Sequence, residues 1–349
     1  MKNIVLTGGG TAGHVYPALA VRECLGDEYN VHFIGGKGME KDIVEKEKDI
    51  KYYQIDAVKL QRKLTLSNLL IPFKLLKAIN QAKKILKEIK PCAIFSKGGF
   101  VAVPVVIAGK LLKIPIVSHE SDLSLGLANK IILKFCTYMA TAFELTSKQN
   151  GKCVFTGQPI RQKVLNGNKK HLEFYCKLDK SKPNLLVIGG STGAKFINEK
   201  IWANLDKLTK FYNIIHITGK QNKQEHIHKN YFEIKYADNI GDYLDIADII
   251  LSRAGSGAIN EFLALKKPML LIPLSKKCSR GDQIENAKLF AKLGYCDMLL
   301  EEDYDDNLFK IKLNNLYKNK EYYIKNMNNC KIENASQNIV ELIKKVEIK

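Results

Sequence analysis

Twice in this chain an apolar strand runs into a cluster of glycines and restarts as a helix, and the two copies begin half a chain apart. The first is Ile4-Val5-Leu6-Thr7, then Gly8-Gly9-Gly10-Thr11-Ala12-Gly13-His14, then a helical stretch through Ala18, Leu19 and Val21. The second is Leu185-Leu186-Val187-Ile188, then Gly189-Gly190-Ser191-Thr192-Gly193-Ala194, then a helical stretch through Phe196 and Ile197. Glycine between a buried strand and a helix lets the backbone turn tightly and present amides at the carboxyl edge of a parallel sheet. Each copy opens an alternation of strands and helices, so the expected fold class is α/β, with two Rossmann-like domains built on parallel sheets. At 349 residues the chain is long enough for both. Gly and Pro interrupt the alternation at Thr156-Gly157-Gln158-Pro159-Ile160-Arg161, which places the expected domains at 1–160 and 161–331.

Composition narrows the chemistry. The sequence is 46% hydrophobic and 26% charged, as in a globular protein. Its eight cysteines stand singly, without a CxxC pair or zinc-like His/Cys spacing, so reduced thiols and no metal are expected. No apolar run reaches the ~18–20 residues of a membrane span, and the start of the chain runs straight into a strand, so no signal peptide is expected. The net charge of +19 suits nucleic acid, an anionic bilayer or an anionic substrate. Much of it falls between Lys59 and Lys90, with nine Lys or Arg against one acid, Glu88. Leu66, Leu69, Leu70, Phe73, Leu76 and Ile79 recur there at helical spacing. The segment reads either as a core-facing helix with a solvated basic face or as a surface that lies on anionic lipid. Being leucine-rich and poor in aromatics, it does not suit nucleic acid.

Several stretches carry candidate chemistry. Ala247 to Glu261 reads as strand, tight turn and helix, with Ser256 expected as the N-cap and Glu261 one turn beyond Gly257. Free amides at a helix start attract a diphosphate, and a carboxylate one turn in can take a ribose diol, which together suit a nucleotide sugar. Gly8, Gly10 and Gly13 also match GxGxxG, but the second strand ends in Gly35-Gly36-Lys37 without the acid a dinucleotide site needs, which argues against a dehydrogenase. His14 could act as a general base or merely bond its loop. Ser96-Lys97-Gly98-Gly99-Phe100 reads as an anion cradle or a tight turn. His119-Glu120-Ser121-Asp122 puts ionisable groups at a strand's carboxyl end, either for chemistry or as a hydrogen-bonded turn. Gln283, opening a later helix, could read sugar hydroxyls or be an ordinary surface residue. Asp303-Tyr304-Asp305 is a literal DxD, and its acidic surroundings, Glu301 to Asp306, suggest solvated surface.

In their order and spacing, the two glycine loops, Gly98-Gly99-Phe100, His119-Glu120, Gly126-Leu127-Ala128-Asn129-Lys130, Ser252-Arg253-Ala254-Gly255, Glu261 and Asp282-Gln283 resemble the MurG family of N-acetylglucosaminyltransferases of peptidoglycan synthesis. The resemblance implies a GT-B fold, two Rossmann-like domains facing a central cleft, with a last helix at about 332–349 packing back on the first. It implies inverting transfer of GlcNAc, without metal or cofactor, from UDP-GlcNAc to the 4-hydroxyl of MurNAc in lipid I, giving lipid II. The first domain would take the acceptor and the membrane, and the second the donor. The protein would sit peripherally on the cytoplasmic face of the inner membrane, on an anionic lipid surface, with other cell-wall synthesis proteins as possible partners.

Inverting transfer needs a base for the acceptor hydroxyl, for which His14 is the first choice and Glu120 the second. Thr11, Ala12, Gly13 and Asp122 would approach the donor sugar, Ser191 and Arg161 the diphosphate, and the backbone at Ala237 the uracil. Ser256, Gly257, Ala258, Ile259, Asn260 and Glu261 would hold diphosphate and ribose, and Gln283 the GlcNAc hydroxyls. This sequence departs from the family pattern at Ala12, usually glycine, and at Gln158, usually Asn. It departs again at Ser121-Asp122, usually Gln-Asn. The alternatives are another GT-B UDP-sugar transferase with a different acceptor, or a non-catalytic nucleotide-sugar or lipid-binding module.

Overall fold

The three-residue runs Ile4-Val5-Leu6 and Ala93-Ile94-Phe95 are fully buried, which a strand achieves only when helices cover both faces of its sheet. Alternation divides them: Ile4, Leu6, Ala93 and Phe95 enter one core, Val5 and Ile94 the other. The structure, a computed structural model, describes residues 1–57, 71–176, 178–190, 192–330 and 335–348. It divides into two units, Met1–Arg161 with Asn334–Lys349, and Gln162–Glu333.

In the first unit β1 (Lys2–Thr7), β2 (Tyr29–Gly35), β3 (Ile50–Gln54), β4 (Ala93–Ser96), β5 (Ile116–Glu120), β6 (Tyr138–Thr141) and β7 (Cys153–Phe155) form a parallel sheet ordered β3-β2-β1-β4-β5-β6-β7. In the second, β8 (Asn184–Ile188), β9 (Asn213–Ile217), β10 (Tyr231–Ile234), β11 (Ile249–Ser252), β12 (Met269–Leu271) and β13 (Cys296–Met298) are ordered β10-β9-β8-β11-β12-β13, also parallel. Each chain path runs outward for three strands and returns beside its first. The reversal falls between β1 and β4, where Thr7 pairs with Ser96, and between β8 and β11, where Ile188 pairs with Ser252. Loops leaving adjacent strands in opposite directions open a crevice at such a point, and ligands of open α/β sheets bind there. The glycine-rich stretches after β1, β4, β8 and β11 leave from these two places.

The helix Ala335–Val346 buries Ile339, Val340 and Ile343 in the first unit's core. Beyond it Glu347 accepts from Tyr29 Oη at 2.7 Å and pairs with Lys2, fastening the chain end to β1 and β2.

Three expectations change in the structure. The N-cap of the helix Ser256–Ala264 is Gly255, and Ser256 is its first helical residue, 5% exposed. Within the acidic run Asp303 and Asp305 are exposed as expected, whereas Glu301 is half-buried and pairs with Arg253 (2.6 Å); Glu302 accepts from Ser275 (2.6 Å), and Asp305 caps the helix Asp306–Lys318 through the amides of Asn307 and Leu308. In the basic segment, Leu66, Leu69 and Leu70 lie outside the described residues. The helix Ile71–Ile89 turns Ala78, Ile79, Ala82 and Leu86 inward, whereas Phe73 and Leu76 stand 71% and 58% exposed.

Candidate active site

At the β1/β4 switch point the first loop is held from below by a carboxylate. Glu40, 1% exposed, accepts from the amides of Gly10 (3.2 Å) and Gly36 (3.0 Å). A Cβ on Gly9, Gly36 or Gly38 would lie 2.7–2.9 Å from that carboxyl group, so the three glycines shape its socket. The Gly10 amide is therefore unavailable to a phosphate, and this loop is not a dinucleotide cradle. Gly10 takes φ +86°, and a side chain there would strike Phe100. At Gly99 (φ +81°) the Cβ position is filled by Gly9 O at 2.5 Å, with His14 Nδ1 at 3.4 Å. Gly98-Gly99-Phe100 is thus a packing turn that supports the first loop.

The helix Ala12–Glu23 follows with Thr11 as N-cap in extended geometry, and Ala12 and Gly13 as its first residues. Thr11 Oγ1 lies 2.9 Å from His14 Nδ1. With Nδ1–H donating to the hydroxyl, the basic lone pair of the ring is the one on Nε2.

At the end of β5 the two ionisable side chains are differently spent. His119 is fully buried, with Nε2–H donating to Gly157 O (2.9 Å), and burial holds its pKa well below the usual imidazole range. Glu120, 5% exposed, accepts from the Asp122 amide (3.0 Å), the Gly126 amide (3.0 Å) and Asn129 Nδ2 (3.0 Å). With three donors converging on its carboxyl group, Glu120 ties the 120–126 loop together. Asp122 sits, partly exposed, in the turn it closes. Arg161 bonds Glu23 (2.6 Å) and Glu47 (3.0 Å) within the first unit, with its side chain 11% exposed. A phosphate at that guanidinium would share it with two carboxylates.

At the β8/β11 switch point the surroundings are open instead. A Cβ built at Gly190 (φ +91°), Gly255 or Gly257 meets no atom within 4 Å. Gly257 and Ala258 lie in the first helical turn, whose amides have no acceptor within the helix. Ile259 and Asn260 are buried, and Asn260 Nδ2 donates to Ser256 O (2.8 Å), so their side chains belong to the interior. Glu261 remains on the other side, partly exposed, and burial raises its pKa to about 7. Ala237 lies between β10 and the helix Ile240–Ile246, next to Tyr236, whose ring carries Lys220 Nζ at 4.0 Å. Gln283 opens the helix Asp282–Lys292; its Oε1 accepts from the Leu274 amide (3.0 Å), which leaves its nitrogen to donate. Arg253 ties β11 to β12 by donating to Ile272 O (3.0 Å) and Pro273 O (3.3 Å). Ser191 lies outside the described residues.

Glu40 is the residue of the first switch point that sequence reading missed. Glu40 stands in a short helix with ordinary-looking charge, and its one available signal was the glycines at 36 and 38 around it. A Glu40→Gln side chain has a single acceptor oxygen and sets its NH2 against one of the two loop amides. We expect a loss of about 1–3 kcal/mol in unfolding free energy with a parallel fall in turnover; unchanged stability by denaturant titration would show that the carboxylate does not hold the loop.

Residues 4–141 match the glycosyltransferase family 28 N-terminal domain and residues 184–343 the family 28 C-terminal domain. A protein of Clostridium botulinum (strain Langeland) is 49% identical over 352 residues, covering 99% of each chain. It is named UDP-N-acetylglucosamine–N-acetylmuramyl-(pentapeptide) pyrophosphoryl-undecaprenol N-acetylglucosamine transferase. The chain belongs to this family, MurG.

A Clostridium tetani protein of the same name is 46% identical over 99% of this chain and 98% of its own. The crystal structure of Acinetobacter baumannii MurG superposes with a TM-score of 0.74 at 27% identity, covering 99% of this chain and 100% of that one. The fold is accordingly GT-B, and the chain is an N-acetylglucosaminyltransferase. In MurG terms the two switch points supply two distinct surfaces: a histidine-bearing loop stiffened by a buried carboxylate, and an open helix start with an acid one turn in.

Proposed function

We propose that this MurG transfers GlcNAc from UDP-GlcNAc to the 4-hydroxyl of MurNAc in lipid I, yielding lipid II and UDP by one displacement with inversion. The observation that carries the donor assignment is the helix Ser256–Ala264. Its glycines are open, its first amides have no acceptor within the helix, and Glu261 lies one turn in, partly exposed. The diphosphate takes the amides of Gly257 and Ala258, the ribose diol donates to Glu261, and Gln283 donates to a GlcNAc hydroxyl oxygen. The uracil lies against the backbone at Ala237.

His14 Nε2 removes the proton of the acceptor hydroxyl as that oxygen attacks C1 of GlcNAc on the face away from UDP. The C1–O bond breaks, and its electron pair leaves on the β-phosphate. Helix-start amides and the macrodipole stabilise that charge without reorganising. Thr11 fixes the histidine tautomer. The direct test is UDP release that requires lipid I: release that is absent, or equally fast with water as acceptor, would overturn the assignment.

No helix among the described residues is long and apolar enough to cross a membrane. Lipid I carries a polyprenyl tail, so the enzyme must meet a bilayer. We assign that contact, at the cytoplasmic face, to the start of the helix Ile71–Ile89, where exposed Phe73 and Leu76 stand beside Lys74 and Lys77. Inserting two apolar side chains is worth about 1.5–3 kcal/mol each when fully buried, so Phe73→Ala with Leu76→Ala should cut sedimentation with anionic vesicles by ~10-fold or more. Salt should weaken the wild-type binding. Sedimentation of the double variant equal to wild type would remove this helix from the interface.

A further inference from the structure

The chain enters the second unit at Gln162 and at once closes around one short helix. The helices Gln162–Leu165 and Lys170–Cys176 both pack on Ile240–Ile246. Backbone meets backbone in that contact. A Cβ on Gly167 would lie 2.0 Å from Gly241 O, and one on Gly241 would lie 2.3 Å from Lys163 O. Two carboxylates one turn apart on the helix then take the amides that follow. Asp242 Oδ1 accepts from the Asn168 amide (2.7 Å) and Asp245 Oδ2 from the Lys169 amide (3.0 Å). Those amides lead into Lys170–Cys176, and negative charge is favoured at a helix start. At its other end Ile240–Ile246 is held by Lys267 Nζ, which donates to Asp245 O (3.0 Å) and Ala247 O (2.9 Å).

A helix of 7 residues has little stability of its own, so these fastenings decide where it begins. Its start matters because β10 reaches it through Tyr236, Ala237, Asp238 and Asn239. Asn239, the N-cap, makes no side-chain capping bond. On the strand side the junction is fixed by Ile234 pairing with Ile217 and by Lys220 Nζ over the Tyr236 ring. On the helix side it is fixed by the 163–169 clasp.

We propose that Asp242 and Asp245 are positioning residues for recognition of the donor's base: with Gly167 and Gly241 they set the start of Ile240–Ile246, and through it the backbone at Ala237. This rests on the donor reading above, which lays uracil against that backbone. A backbone offers an amide and a carbonyl, which suit uracil O4 and N3–H. Cytosine inverts both, since its N3 accepts and its amino group donates. Choice between the two bases then depends on where the backbone lies to within about 0.5 Å.

The test measures UDP and CDP binding by calorimetry, and kcat and KM for UDP-GlcNAc, in D242A/D245A, D242N/D245N, G167A and E261Q, each with its thermal midpoint. D242A/D245A should weaken UDP by ~10-fold and cut the preference for UDP over CDP by a similar factor. KM for UDP-GlcNAc should rise while kcat at saturating donor stays within about twofold. D242N/D245N keeps an acceptor oxygen at each position and should recover most of the loss. G167A should behave like the double alanine variant, because its Cβ drives the helix away. A clasp that only holds the fold together would lower the midpoint and leave the UDP/CDP preference unchanged, and that outcome overturns the proposal. E261Q separates the two readings. If it leaves UDP affinity untouched, the donor assignment fails, and the UDP/CDP preference of D242A/D245A still decides the clasp. If E261Q weakens UDP and D242A/D245A does not, the clasp alone is overturned.

Discussion

Replacing His14 by alanine lowers kcat by ~10²–10⁴-fold, the usual worth of a positioned general base, while KM for UDP-GlcNAc stays within about threefold. The separation follows from where the residue stands. His14 belongs to the β1/β4 switch point and the donor-binding groups to the β8/β11 switch point, in a different sheet. Losing the imidazole therefore removes a proton acceptor and leaves the diphosphate and ribose contacts in place. Thr11→Val should lose about tenfold in kcat, because the ring keeps its basicity but loses the bond that fixes its tautomer. Glu120→Gln makes a different prediction: a Gln cannot accept from all three donors, so stability falls along with activity. Near-normal turnover in His14→Ala with intact donor affinity would require another base.

Replacing Glu261 by glutamine weakens UDP-GlcNAc binding by ~10–100-fold, the worth of charge-assisted bonds to a diol. The unliganded fold should move the other way. Burial raises the Glu261 carboxyl to about 7, above the ~4.3 of an unfolded chain. The folded state therefore holds the proton more tightly, its stability is complete below about pH 4.3, and that contribution is lost as pH rises towards 7. At pH 8 the ionised carboxylate costs on the order of 1–2 kcal/mol, less than the full shift because part of its surface meets solvent. Glu261→Gln should thus melt higher than wild type at pH 8 in the absence of ligand, yet gain far less on adding UDP-GlcNAc. Wild-type donor affinity should also fall as pH drops below 7, a dependence the variant lacks. A variant that binds donor as tightly as wild type would take the ribose away from Glu261.

The glycine loops are legible in the sequence because a strand–turn–helix junction is determined locally. Apolar runs, glycines and the helical restart all lie within a dozen residues, and the chain reversal then puts those junctions together. What supports the loops is not local. Glu40 reaches back 30 residues to Gly10, and Ser121 forward 37 residues to Gln158; neither pairing leaves a pattern before the sheet has formed. Charge alone misleads in the same way. Arg161 stands in the sequence with no sign that Glu23 and Glu47 pair with it, and Glu301 looks solvated until β11 brings Arg253 to it. The amphipathic reading of the Ile71–Ile89 helix is right about its inward face. It leaves open where Phe73 and Leu76 face, since periodicity places a residue on a helix face without saying what covers that face.

The most direct measurement is a crystal structure of the enzyme with UDP-GlcNAc bound. The ribose diol should lie on the Glu261 carboxylate, with the pyrophosphate at the amides of Gly257 and Ala258 and no contact to the Gly10 amide. A uridine seated in the first unit's glycine loop, or away from Glu261, would contradict the account.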